Sequence, residues 1–441
     1  MLSAARDTIV ALSTPPGVGA IAVVRVSGPR AFALARQRMR GVAETLPHAQ
    51  ARVSAWHDRE GRLLDRPLLL AFHAPRSYTG EDVLELHLHG SPWLVERVLM
   101  DLCADAALAE PGEFTRRAVE NGRLDLSQAE GIRALVEARG EQAHQWALRA
   151  VTGEQGRQVR NWRGRLVDVL ALVEAELDFS EHDIQEVSAQ DLLRHLAPLQ
   201  DELRRWLASW RVGRLAAGAR VVLAGPPNAG KSTLFNALAG QERVLVDAEP
   251  GTTRDAVGVE MDLDDLHITL WDTAGLRGTD NRVEALGVEK ARDMVGDADL
   301  VIALRAPGQW TLAELAELPH VLHVQSMADL DVPCGEGPAD VRVSALTGEG
   351  LAELRHAIRT RLCGEDWRAL DFVLTEARHL QLVEWGLAAL DRATDGLRAR
   401  LDRSLVAADM REAIEAVGGV VGGTDLDEVY AAVFSRFCVG K

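Results

Sequence analysis

The sequence predicts a multidomain chain: an α+β N-terminal domain, a discontinuous α-helical domain, and an α/β domain inserted into the helical one. Residues 1–118 mix strand-like runs with turn signals, residues 119–213 and 366–441 have helical periodicity, and residues 214–365 alternate strand and helix. A length of 441 residues allows about three domains. Since the termini of a domain often lie close together, such an insertion is physically cheap.

The composition is that of a globular protein and argues against several other classes. Hydrophobic residues make up 47% and charged residues 26%, unlike disordered chains, collagen or coiled-coil rods. No run of about 18 apolar residues lacks charges, so we expect no membrane-spanning helix. The four cysteines are far apart and form no CxxC pair, which favours a reducing, cytoplasmic location. The net charge of −17 argues against non-specific coating of nucleic acid.

The N-terminal domain contains three apolar runs bounded by glycine or proline, which predict strands at 19–28, 67–75 and 81–90. Residues 91–106 predict a helix with Ser91 as its N-cap and Pro92 in its first turn. The helical region then shows amphipathic patterns at 128–150, 157–177 and 193–210. We interpret their leucine and tryptophan stripes as the core of a helix bundle.

The inserted region predicts a parallel sheet with helices between its strands, because apolar runs alternate with helical segments. The predicted strands are 220–225, 267–272, 299–304, 321–324 and 341–344. Directly after the first of them, residues 225–232 (GPPNAGKS) match the phosphate-loop pattern G-x-x-x-x-G-K-[ST] and open a predicted helix. Lys231 is expected to reach the β- and γ-phosphates of a nucleotide and Ser232 to bind Mg²⁺.

The lysine count supports this assignment. The chain has only three lysines, Lys231, Lys290 and Lys441, because arginine takes nearly every other basic position. A lysine that remains is expected where a guanidinium cannot replace a compact ammonium group.

Two further motifs favour a Ras-like GTPase. Residues 272–275 (DTAG) follow a strand, and their aspartate is expected near Mg²⁺ while Gly275 senses the γ-phosphate. Residues 250–255 (PGTTRD) occupy the place of a switch loop, where Thr253 or Thr252 would meet Mg²⁺.

The guanine-reading motif departs from the expected Asn-Lys-x-Asp, since the chain has Ser326-Met327-Ala328-Asp329. Asp329 is still expected to accept hydrogen bonds from the guanine edge, and the loop beginning at Ser344 and Ala345 to read guanine O6. We therefore expect GTP rather than ATP as the nucleotide, with an affinity weakened by Ser326 and Met327.

Several informative segments lie outside the nucleotide motifs: residues 7–29, 78–90, 111–130 and 177–184 and the ending Phe437-Cys438-Val439-Gly440-Lys441. Through these segments the whole chain resembles the MnmE (TrmE) family of tRNA-modification GTPases. The resemblance implies a homodimer held by N-terminal domains that bind 5-formyl-tetrahydrofolate as one-carbon donor. It implies K⁺-dependent dimerisation of the G domains. It also implies a heterotetramer with the FAD-binding partner MnmG, which acts on the wobble uridine of certain tRNAs.

The resemblance also implies roles for single residues. The folate-contacting positions are Arg25, Glu85, Arg123 and Lys441, and the K⁺ positions are Asn228, Asp247, Glu249 and Thr252. Glu284 matches the catalytic glutamate that orients water, and Cys438 is interpreted as a functional thiol. The expected GTP contacts are Asn228, Ala229, Gly230, Lys231, Ser232, Thr233, Asp247, Ala248, Glu249, Pro250, Gly251, Thr252, Thr253, Asp272, Thr273, Ala274, Gly275, Asp329, Ser344 and Ala345.

Two alternatives use the same nucleotide motifs. One is a ribosome-assembly GTPase of the Era or EngA type, which would carry a basic C-terminal RNA-binding domain. The other is a G domain that binds GTP without hydrolysing it, because of Ser326 and Met327. The amphipathic C-terminal region ending in CVGK favours the modification GTPase over the first of these.

Overall fold

The computed structural model divides the chain into two compact units. The first comprises Met1–Arg133, Val151–Asn161 and Gly418–Lys441, and the second comprises Ala134–Ala150 and Trp162–Val417. The described residues are 7–39, 46–178, 187–215, 218–240, 258–263, 266–272, 294–308, 320–330, 339–365, 367, 370, 373–422, 430 and 433–440.

A mainly antiparallel sheet forms the centre of the first unit. The described strands there are β1 (Ile9–Leu12), β2 (Ile21–Ser27), β3 (Arg52–Val53), β4 (Trp56–His57), β5 (Leu63–Asp65), β6 (Leu68–Phe72), β7 (Val83–His89) and β8 (Ala107–Leu108). Six of them form one sheet in the order β3-β6-β7-β2-β1-β8, and β4 pairs with β5. Neighbours in the six-stranded sheet are antiparallel except β1 and β8.

Alternation along the strands gives this sheet two different faces. One face packs against α1 (Ala31–Arg38) and α2 (Pro92–Cys103), and its buried strand residues include Ala22, Val24, Val26, Leu84, Leu86 and Leu88. The other face carries Arg25 and Glu85, which are register partners on β2 and β7. This second face therefore keeps polar side chains where the first is apolar.

The second face is covered in part by α3 (Glu113–Glu120), whose Phe114 is fully buried with Ile9, Ala11 and Ala109. The next helix is α4 (Leu126–Glu137). Phe434 and Phe437, near the end of the chain, pack against Leu126 at the start of α4. The C-terminal segment thus belongs to the same compact unit as the N-terminal sheet.

Eight further helices follow along the described chain. They are α5 (Glu141–Val151), α6 (Glu154–Asp178), α7 (Ala189–Ala208), α8 (Trp210–Arg214), α9 (Lys231–Ala239), α10 (Leu351–Cys363), α11 (Ala377–Arg398) and α12 (Arg403–Gly419). Trp162 of α6 packs against Trp206 of α7, with ring centroids 5.1 Å apart. Gln200 of α7 donates to Asp391 of α11 across 2.6 Å. The apolar stripes seen in the sequence are bundle core, as predicted.

The second unit also holds a six-stranded sheet of β9 (Ala219–Ala224), β10 (Gly258–Leu263), β11 (Leu266–Asp272), β12 (Leu300–Arg305), β13 (Val321–Gln325) and β14 (Val341–Arg342). Its order is β10-β11-β9-β12-β13-β14. All pairs are parallel except β10 with β11. Because the five parallel strands end at one edge, the loops that follow them meet there.

Most predicted elements are confirmed, and the differences have local causes. The helical pattern predicted at 128–150 belongs to two helices, because the chain breaks between α4 and α5 at Gly140, whose φ is +93°. The pattern at 193–210 belongs to two helices, α7 and α8, and the strand predicted at 341–344 is only Val341–Arg342. Ser91 occupies the N-cap of α2, but its side chain makes no capping hydrogen bond. The domain boundaries remain predictions.

In the described part of the chain, every helix is too short or too polar to cross a membrane.

Candidate functional site

The loop between β9 and α9 has the backbone that a phosphate loop needs. Asn228 and Gly230 have positive φ, +60° and +84°. At Gly225, whose φ is +157°, an added Cβ would lie 2.2 Å from the carbonyl oxygen of Leu304. A side chain is therefore excluded at Gly225, and the loop can turn tightly beside β12 into the N-terminus of α9. Such a helix start presents backbone N–H groups to an anion.

Lys231 is 8% exposed, and its ammonium group lies inside this loop. Its Nζ donates to the carbonyl oxygens of Gly225 across 2.9 Å and of Pro226 across 2.8 Å. These contacts hold a positive charge at the centre of the turn, where the phosphates of a nucleotide would sit.

Ser232 and Asp272 bring two loops together at the same edge of the sheet. Ser232 Oγ donates to Oδ2 of Asp272, the last residue of β11, across 2.9 Å, and Asp272 is only 7% exposed. The two residues that the sequence predicts to lie near Mg²⁺ are therefore neighbours, and their role toward the ion stays a prediction. Asn228 and Thr233 are exposed on the same loop and helix start.

The base-reading loop follows β13 and is joined to the strand beside it. Ala328 N donates to Val343 O across 3.0 Å, which places this loop against the segment that leads to Ser344. Asp329 is exposed and Ala345 half-buried, whereas Ser344 is fully buried and its hydroxyl accepts from Thr347 N. Asp329 and the Ser344 loop therefore belong to one local region, as the motif order predicts.

Several predicted site residues lie outside the described part of the chain. They are Asp247, Ala248, Glu249, Pro250, Gly251, Thr252, Thr253, Thr273, Ala274, Gly275, Glu284 and Lys441. Their roles stay predictions.

A second candidate site lies on the polar face of the N-terminal sheet. Arg25 Nη2 lies 2.8 Å and Nε 3.0 Å from the same oxygen, Oε1 of Glu85. The Arg25 guanidinium also lies 5.4 Å from the centre of the Tyr78 ring and 5.6 Å from that of Phe114. The Tyr78 hydroxyl is 2.7 Å from Thr115 Oγ1. Burial raises the pKa of Tyr78, so its phenol is neutral beside Arg25 at neutral pH.

Sequence reasoning missed His87, which shares this face with Glu85 because it lies two residues along β7. Its Nε2 is 3.5 Å from Glu85 Oε2 and is buried without a hydrogen-bond partner. The spacing of two along a half-buried strand was the signal that could have found it. Arg123 is exposed on the turn after α3. Its side chain lies beside Gly80, since a Cβ added to Gly80 would be 3.2 Å from Arg123 Cγ.

The C-terminal segment is fixed to the start of α3 and the end of β1. Val439 bridges to Pro111, and Gly112 N donates to Cys438 O across 3.4 Å. Ser13 Oγ donates to Gly440 O across 3.0 Å. The Cys438 thiol is free and exposed. Phe114 follows Pro111 and Gly112 closely in the chain and lies against Arg25. The C-terminal segment and the second site therefore share one side of the sheet.

Family comparisons cover nearly all of the chain. Residues 126–438 match the family described as "MnmE helical domain", and residues 8–123 match "GTP-binding protein TrmE N-terminus".

Individual relatives match over their full length. The tRNA modification GTPase MnmE of Koribacter versatilis is 37% identical, and the match covers 99% of each chain. A protein of that name from Thermus thermophilus is 41% identical, again over 99% of each chain. The solved G domain of the T. maritima FeoB iron transporter is 30% identical over 32% of this chain and 98% of its own, with a TM-score of 0.24.

Proposed function

The chain belongs to the MnmE family of tRNA modification GTPases, and on that premise we propose that it couples GTP hydrolysis to modification of the wobble uridine of certain tRNAs. The reaction places a carboxymethylaminomethyl- or aminomethyl-type group on C5 of that uridine, with FAD-binding MnmG as partner. The observation that carries the proposal is a phosphate loop joined to Asp272, in a chain that matches relatives of this name from end to end.

The chain's own groups prepare GTP for attack by water at the γ-phosphorus. Lys231 exchanges the carbonyl oxygens of Gly225 and Pro226 for oxygens of the β- and γ-phosphates, while the loop N–H groups hold the phosphates in place. Glu284 orients the water. As oxygen bonds to the γ-phosphorus, the bond to the bridging oxygen breaks, which yields GDP and phosphate.

The residues at the loop fit Mg²⁺, which prefers oxygen ligands and keeps several waters. In the proposal Ser232 and Thr253 are the protein ligands, and the Asp272 carboxylate, 2.9 Å from the Ser232 hydroxyl, orients that hydroxyl. Within the described residues no group of three His, Cys, Asp or Glu could hold a metal, so phosphate and water would supply the other ligands. When bound, Mg²⁺ neutralises negative charge on the β- and γ-phosphates.

Asn228 supports the K⁺ site, since its side chain is exposed on the phosphate loop. Asp247, Glu249 and Thr252 complete that site in the proposal. K⁺ supplies positive charge near the phosphates, and pairing of two G domains would activate hydrolysis.

The polar face of the N-terminal sheet fits 5-formyl-tetrahydrofolate, the proposed one-carbon donor. Arg25 contacts only Oε1 of Glu85, so Oε2, which lies 3.5 Å from His87 Nε2, can accept from the amino group of a pterin ring. Arg25 itself suits a carboxylate of the folate tail, and Arg123 and Lys441 complete the contacts in the proposal. The docked C-terminal segment keeps the Cys438 thiol in the same compact unit as these residues.

The proposed assembly is a homodimer through the N-terminal domains, joined by MnmG in a heterotetramer that acts on tRNA. Family membership favours this function over ribosome assembly, because the matches include the helical region and the chain end as well as the G domain.

The experiment that tests the proposal is GTP turnover by the full chain in K⁺ and in Na⁺ at equal ionic strength. Strong stimulation by K⁺ supports it. Turnover that does not respond to K⁺ contradicts the cation site, and binding of GTP without turnover in either salt contradicts hydrolysis.

The folate site has its own test, which is calorimetric titration with 5-formyl-tetrahydrofolate. Arg25→Ala and Glu85→Gln should each weaken binding by about 10-fold or more, because each removes a charged partner from a half-buried site. Arg52→Ala, an exposed substitution on β3 of the same sheet, is the matched control. Equal affinity in all four proteins would reject this site.

A further inference from the structure

Ser326 stands where the guanine-reading motif is expected to have asparagine. It is 5% exposed. Its Oγ lies 2.7 Å from Ala229 O and 3.1 Å from Arg305 O. Ala229 belongs to the phosphate loop and comes two residues before Lys231. Ser326 therefore links the loop that reads the base to the loop that binds the phosphates.

A count of donors shows which contact matters. A serine hydroxyl has one hydrogen, whereas two carbonyl oxygens lie within its reach. Arg305 O already accepts from the backbone N–H of Ser326 across 2.9 Å. The hydroxyl hydrogen is therefore assigned to Ala229 O, the nearer acceptor, and Ala229 is fully buried. Removing the hydroxyl would leave that buried carbonyl without this donor.

The backbone after Ser326 supports the link. Met327 has a φ of +56°, which is unusual for a residue with a side chain, and such strain persists only where the surroundings hold it. Its Cε lies 3.9 Å from a Cβ built at Gly230, and the Ser326 Cβ lies 3.7 Å from the same point. Both residues of the base-reading loop therefore pack over the last glycine of the phosphate loop.

We propose that Ser326 is a positioning residue that couples guanine recognition to phosphate binding through its hydrogen bond to Ala229 O. Nucleotide release then requires the two loops to separate, and this single bond sets part of the barrier. The expected asparagine would carry two N–H donors on a longer side chain, so serine makes this coupling weaker. The inference rests on guanine-nucleotide binding at this loop.

The test is the rate of release of a fluorescent GDP analogue from the full chain, measured after mixing with excess GDP. Ser326→Ala should release the nucleotide about 10-fold faster, because a buried carbonyl loses its donor. Ser326→Thr keeps the O–H and should release within about 2-fold of the unsubstituted chain. Ser326→Cys keeps the shape but has only a weak S–H donor, so it should release faster than the threonine variant.

Unfolding temperatures of the nucleotide-free variants separate coupling from stability. Coupling predicts faster release with little change in these temperatures. Equal release rates for the unsubstituted chain, Ser326→Ala and Ser326→Cys would overturn the proposal. If the alanine variant fails to fold, equal release rates for Ser326→Cys and Ser326→Thr are enough to overturn the proposal. A chain that binds no GDP would instead contradict the nucleotide site itself.

Discussion

Ser232 Oγ and Asp272 Oδ2 share a hydrogen bond of 2.9 Å between the first turn of α9 and the last residue of β11. Two segments 40 residues apart in sequence are thereby joined at the carboxyl edge of the parallel sheet. The bond holds the Ser232 hydroxyl beside the Asp272 carboxylate, where the proposed Mg²⁺ would bind.

Loss of the Ser232 hydroxyl should remove this hydrogen bond and one of the proposed Mg²⁺ ligands. We expect Ser232→Ala to reduce GTP turnover by at least about 100-fold and to raise the Mg²⁺ concentration needed for half-maximal rate, because one oxygen ligand is gone. Ser232→Thr keeps the hydroxyl and should stay within a few-fold of the original rate. A magnesium titration of GTP turnover measures both, and equal Mg²⁺ dependence in all three proteins would contradict the assignment.

Lys231 should not be replaceable by arginine, although 46 of the 49 basic residues are arginine. Its ammonium fits between two carbonyl oxygens at 2.8 and 2.9 Å in a nearly closed loop, and a planar guanidinium is too large for that space. We expect Lys231→Arg to lower GTP affinity by at least about 10-fold, measured by equilibrium titration. Arg361→Lys, an exposed arginine of α10, is the control. Unchanged affinity would show that charge alone is sufficient.

Gly440 fixes the docking of the C-terminal segment. Its φ is +96°, and an added Cβ would lie 2.1 Å from Leu12 O. We expect Gly440→Ala to speed hydrogen exchange across residues 433–440 and to leave GTP turnover unchanged. Gly308→Ala is the control, because Gly308 also has positive φ, +75°, but meets nothing within 4 Å. Unaltered exchange in Gly440→Ala would show that the segment is held elsewhere.

Tyr78 gives the region around the Arg25–Glu85 pair a pH dependence. Burial raises the pKa of its phenol above the ordinary value of about 10, while Thr115 and Arg25 lower it by less. A raised pKa means that the stability from the neutral phenol is complete below about pH 10 and is lost as the pH rises through the folded-state pKa.

The chain's tyrosine content makes this pKa directly measurable. The chain has only two tyrosines, so Tyr430→Phe leaves Tyr78 as the single phenol in an ultraviolet titration. We expect ionisation above pH 10 in the folded chain and a fall to the ordinary value in denaturant. Equal values in both states would contradict the burial.

The sequence predicted those features that local motifs specify. Residues 225–232 identified the phosphate loop, because its turn, lysine and hydroxyl are all set by adjacent residues. The five parallel strands around it followed from apolar runs, whereas β10 was not predicted. The break at Gly140 was missed, because helical periodicity continues on both sides of it and only the backbone shows the positive φ.

Features that depend on pairing between distant segments could not be predicted in the same way. Ser326 looked like a weakened base-reading residue, and its contact with Ala229 depends on how two loops separated by 97 residues meet. His87 was missed because its relation to Glu85 appears only once the face of β7 is known. Docking of the C-terminal segment beside Pro111 likewise requires the tertiary fold.

The measurement that tests the central claim most directly is mass spectrometry of wobble uridine in tRNA from a strain lacking this gene. The strain would carry either the unsubstituted gene or the Ser232→Ala variant, whose GTP turnover is expected to fall by at least about 100-fold. The account predicts that C5 modification disappears in the deletion strain, returns with the unsubstituted gene and does not return with the variant. Full modification in the deletion strain would contradict it.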